Sequence, residues 1–133
     1  MIRIVGIQRA ELAENEFVLL QNQGSMRSPL KGHLIMSGAV LAANGQGDAL
    51  HAFTDDALIP AGMYVILTTG TGVPRWGRTK DGGLLYFAYM GRPAPVWSEY
   101  GPVHILHTHH TFTERRDNYN QASQEVRGAA SVF

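Results

Sequence analysis

Pro60-Ala-Gly62 is followed at once by Met-Tyr-Val-Ile-Leu-Thr-Thr at positions 63–69, and this stretch constrains the fold more than any other. Proline presets φ and glycine admits a positive φ, so the dipeptide region turns the chain and launches the apolar run as a strand. The run is rich in β-favouring residues and too short for a globular helix. Either Val65 and Leu67 or Tyr64 and Ile66 form its inner face, since alternate side chains of a strand point to opposite sides.

The same grammar recurs along the chain. Ile2–Ile7 sets Ile2 and Ile4 against Arg3 and Val5, and Phe17–Gln21 is an apolar run of strand length. Leu30–Met36, Leu84–Met90 and Val103–His107 read as further strands, with a hairpin return expected through Thr111–Arg115. Only Arg9–Glu14 offers a helical turn. Short strands separated by Gly/Pro turns predict an all-β sandwich or barrel. The 133 residues suffice for one hydrophobic core. The polar segment Asp117–Phe133 is expected to be a flexible tail, leaving residues 1–116 as the folded domain.

Composition narrows the function classes. Apolar residues make up 44% and charged residues 17%, and the mean hydropathy is -0.11, as in a folded domain. Eleven basic residues balance eleven acidic ones, so there is no global field to hold a polyanion and no strong nucleic-acid signal. With no cysteine, thiolate nucleophiles, disulfides and Cys-ligated zinc are excluded. No stretch approaches the apolar length of a membrane span, and the first residues lack the pattern of an export signal, so the chain as it stands reads as cytoplasmic.

Ordered motifs carry a family resemblance. Glu16-Phe-Val18 with Leu20 and Asn22, then Leu30-Lys-Gly32, then Leu58-x-Pro60-x-Gly62-x-x-Val65-x-Leu67 with Thr69-Gly-Thr-Gly72, and finally Val96-Trp97 before Gly101, together resemble the lamin-tail domain. Leu19 stands where that family has a second acid, and His33 where it has a tryptophan. The resemblance implies an immunoglobulin-like β-sandwich of two packed, mainly antiparallel sheets. It also implies a noncatalytic interaction or scaffolding module that binds a protein partner or itself. Glu16, at a strand start, reads as solvated, and Trp97 and Trp76 as packed anchors.

Two local features are candidates for function. Between Val73 and Pro95 the basic residues Arg75, Arg78, Lys80 and Arg92 face the single acid Asp81, and Trp76 stands among them. Four positive charges against one leave +3, and arginine beside indole is suited to carboxylate, phosphate or aromatic partners. Glu11, Glu14 and Glu16 offer a complementary acidic surface for self-association. The second feature is His107-x-His109 with Glu114, after Gly101, which resembles the first metal motif of the cupins. Imidazoles at i and i+2 share one strand face and suit transition metals. The motif lacks its closing glycine, where Gln121 stands, and no second histidine motif follows, so a His-rich hairpin tip, solvated or partly packed, is the expectation, with a cupin-like metal-dependent enzyme using His107, His109 and Glu114 as the alternative reading.

Other chemistry finds no sequence support. Gly70-Thr-Gly72-Val-Pro74 lacks the third glycine of a dinucleotide loop, and neither a P-loop nor a Gly-x-Ser-x-Gly elbow is present. Asp55 and Asp56 are adjacent and read as turn residues rather than a paired acid and base. No cofactor and no catalytic residue is expected.

Overall fold

The computed structural model describes residues 1–97 and 101–108. Among the described residues ten strands follow one another: β1 (Ile2–Gln8), β2 (Phe17–Asn22), β3 (Ser28–Pro29), β4 (His33–Ser37), β5 (Leu50–Ala52), β6 (Leu58–Ile59), β7 (Tyr64–Thr68), β8 (Arg75–Arg78), β9 (Leu84–Tyr89) and β10 (Val103–His107). A 3₁₀ turn at Ala13–Asn15 precedes β2, and a short helix, α1 (Gly38–Ala42), follows β4. Ser37 caps that helix, its Oγ accepting from the Val40 N–H at 3.1 Å. No helix among the described residues is long and apolar enough to cross a membrane.

The fold is all-β, as the spacing of apolar runs implies, and the strands of the described residues make three sheets rather than two. A five-stranded sheet runs β1-β2-β7-β9-β8, a three-stranded sheet β10-β4-β5, and β3 pairs with β6. The large sheet is mixed: β7 and β9 are parallel, and its other pairings are antiparallel. The cause lies in the connection after β7, which carries the chain to the outer position as β8. A tight return then brings β9 back between β8 and β7. That return, Lys80-Asp81-Gly82, has Gly82 at φ 83°, the conformation a three-residue hairpin loop requires at its last position.

Alternation places the core. Val18, Leu67 and Ala88 lie side by side across β2, β7 and β9, as do Leu20, Val65 and Tyr86. All six are buried, and they meet Ile2, Ile35 and Ile59 from the other strands together with Leu30, Phe53 and Trp97 from loops. Of the two faces open to β7, Val65 and Leu67 are therefore the inner one. A register shift between Ile4 and Gly6 displaces Val5 outward and returns Ile7 to the core side opposite Val18. The opposite face of the large sheet carries Phe17, Leu19, Tyr64, Ile66, Leu85, Phe87 and Tyr89, all half-buried.

Gly62, at φ 79°, closes the turn into β7, and its N–H bonds the Asn22 carbonyl at 2.7 Å. The hairpin return expected at Thr111–Arg115 and the tail from Asp117 lie outside the described residues.

Candidate interaction surface

The segment 75–78, read from composition as a charged stretch, is strand β8 at one edge of the five-stranded sheet. Its register sets Arg75 opposite Phe87, Trp76 opposite Tyr86, Gly77 opposite Leu85 and Arg78 opposite Leu84. Directly opposed residues share a face, so Arg75 and Trp76 present to different sides of the sheet. The Arg75 guanidinium lies 4.1 Å from the Phe87 ring centroid, a cation–π contact on the outer face. Trp76 sets its ring edgewise to Tyr86, centroids 5.0 Å apart, on the core side. The indole stays 43% exposed, so it is a packed anchor that still offers a surface. Arg78 Nη1 donates to the Gly82 carbonyl at 2.8 Å, which fixes the guanidinium over the hairpin loop that also carries Lys80.

Arg92 does not belong to this group. Its Nη1 lies 3.7 Å from Asp48 Oδ1, an exposed pair of small energetic weight. The pair borders a cleft of about 660 Å³ lined also by Val40, Pro93 and Pro95. A second cleft, of about 410 Å³, is lined by Trp97, Pro102, Val103 and His104.

The acidic complement changes more. Glu16 is fully buried, whereas a solvated position was expected. Its Oε1 accepts from the Thr69 hydroxyl at 2.8 Å, the Val96 N–H at 2.8 Å and the Trp97 N–H at 3.1 Å. The reason is parity: Glu16, Val18, Leu20 and Asn22 share one side of the strand, and Val18 and Leu20 face the core. Asn22, at the other end, is equally buried. Its Nδ2 donates to the Met26 and Ile59 carbonyls, each at 2.8 Å, and its Oδ1 accepts from the Gly24 N–H at 3.0 Å. These residues clamp β2 to its surroundings, so only Glu11 and Glu14 remain as exposed acids there. Trp97 is core, 2% exposed.

The histidine motif divides as well. His107 lies opposite His33 across β10 and β4, and the two rings stack at 4.1 Å with an interplanar angle of 1°. His33 is buried and its Nδ1 is 3.0 Å from the Leu30 carbonyl, which only accepts, so that nitrogen carries the proton. Burial lowers the His33 pKa, the Leu30 carbonyl opposes this, and the charge of His107 adds to it. His109 and Glu114 lie outside the described residues. Among those described, no three His, Asp or Glu side chains form a group able to hold a metal ion. His33 is thus a packed ring of the interior rather than an exposed imidazole.

Asp55 has a structural task that its turn position did not announce. Its Oδ2 accepts from the Tyr86 hydroxyl at 2.8 Å. Burial, joined by this bond, pushes the Tyr86 phenol up to about 12. The bond joins the loop before β6 to the strand against which Trp76 packs.

Comparison of the chain with protein-family models and with curated proteins finds no match to either.

Proposed function

We propose that the chain is a noncatalytic interaction module of lamin-tail type, an immunoglobulin-like β-sandwich that associates with a protein partner or with itself. The carrying observation is that Arg75, Trp76 and Arg78 share one edge strand, where each is held by a contact within the protein yet stays exposed. Side chains ordered before binding lose less entropy on association, and Arg and Trp are the types that most often carry interface energy. The order of the Glu16, Pro60-x-Gly62 and Val96-Trp97 elements supports the family reading, with Glu16 and Asn22 as its internal clamps.

The test is Arg75→Glu combined with Arg78→Glu in the full chain, with self-association followed by sedimentation and partner association by affinity capture from matched lysates. The reading expects association at least tenfold weaker, with an unchanged β-rich circular dichroism spectrum. Unchanged association in this variant overturns it, and stoichiometric metal that disappears in His107→Ala, His109→Ala would then favour a metal-dependent activity.

A further inference from the structure

The hydrogen-bond phase of β8 shows which backbone groups its outer edge presents. The Thr79 N–H bonds the Gly83 carbonyl at 2.8 Å, and the register of β8 with β9 continues from that pair. In an antiparallel ladder, bonded and non-bonded pairs alternate. Gly77 and Arg75 therefore exchange bonds with Leu85 and Phe87, while the N–H and C=O groups of Trp76 and Arg78 point away from the sheet. Pro74 has the same phase as Trp76, so the one residue without an N–H stands where that group would face outward. No described strand pairs with this side of β8.

We propose that β8 receives an extended acidic segment of another protein as an added strand, an inference that rests on the interaction-module reading and specifies its partner. Strand addition supplies affinity through the backbone and selectivity through alternate side chains. Here both faces of the edge carry a cation: Arg75 on the outer face and Arg78 on the core side, with Trp76 beside it as an apolar platform. From Val73 to Thr79 there is no acidic residue. Two copies of this edge would bring like charges together, so charge complementarity selects a foreign acidic strand over a second β8. A proline and charged residues are also how proteins blunt an edge against indiscriminate pairing. An exposed Trp76 and a Val73 that is 78% exposed serve no such purpose.

The test uses the full chain and a synthetic capped heptapeptide alternating Glu and Val, with the Lys/Val counterpart as control. The expected result is saturable binding of the acidic peptide alone, weakened at least tenfold by Arg75→Glu, Arg78→Glu. Amide exchange by NMR should slow at least tenfold at Trp76 and Arg78 and stay unchanged at Arg75 and Gly77. Absence of saturable binding overturns the proposal, as does binding that leaves the Trp76 and Arg78 amides unprotected. Protection that appears with protein concentration and no peptide overturns it too, by assigning the edge to a second copy. If the Arg variant loses association while the peptide fails, strand addition falls and the interaction module stands; if association survives in that variant, the module reading itself falls.

Discussion

Replacing Glu16 by alanine removes one oxygen that three donors share, and the structure sets the size of the loss. The Thr69 hydroxyl and the Trp97 N–H are buried, whereas the Val96 N–H is only part-buried and can turn to water. Each buried donor left unpaired costs about 1–3 kcal/mol, or about 2–6 kcal/mol for two. Against this, no basic side chain among the described residues pairs with the carboxylate, so its removal relieves a desolvation cost. A net destabilisation of about 3 kcal/mol is expected for Glu16→Ala. Glu16→Gln keeps an acceptor at the same reach without the charge, and its loss should be about 1 kcal/mol. Urea unfolding at neutral pH, followed by tryptophan fluorescence, measures both. At a slope of about 2 kcal/mol per molar, the alanine variant should lower the midpoint by about 1.5 M at unchanged slope. An alanine variant within about 0.5 kcal/mol of the parent would refute the clamp, because the bonds would then be worth no more than the burial they require.

Leu67→Ala should cost about 2–5 kcal/mol through lost burial and the cavity left behind, and Ile66→Ala on the half-buried outer face clearly less; equal losses in thermal or urea unfolding would contradict the assigned faces of β7. Stability should also depend on pH through His33 and His51, both held below 6.5 by burial. Below 6.5 the unfolded chain takes up protons that the folded chain refuses, so this contribution is complete above about pH 6.5 and declines as the pH falls toward the depressed values. Urea midpoints at pH 7.5 and 5.5 should differ in that direction, and His51→Gln should reduce the difference.

The positions of most long strands were legible in the sequence because their apolar alternation is local: β7 and β10 fall within or on the runs that mark them. Parity within β2 was legible too, since Glu16 and Asn22 share a side with Val18 and Leu20, yet their charge and polarity argue for solvent when each is taken alone. Three donors brought in from Thr69, Val96 and Trp97 make burial tolerable, and those donors are remote in sequence. Strand β8 carries no hydrophobic run, because an edge strand needs only one neighbour and its side chains overhang rather than fill the core. The +3 cluster was visible as composition. Only the tertiary structure separates Arg92, set against Asp48, from Arg75, Trp76 and Arg78, and puts these three on one edge strand. Likewise the pairing of His33 with His107 depends on the register of β10 against β4, strands about seventy residues apart in the chain. Sequence by itself determined where the chain turns and which short segments are strands, because dihedral preference and side-chain alternation act between neighbours. The tertiary structure alone decided which strands became edges and which polar groups were buried, because both depend on what distant segments bring to the same place.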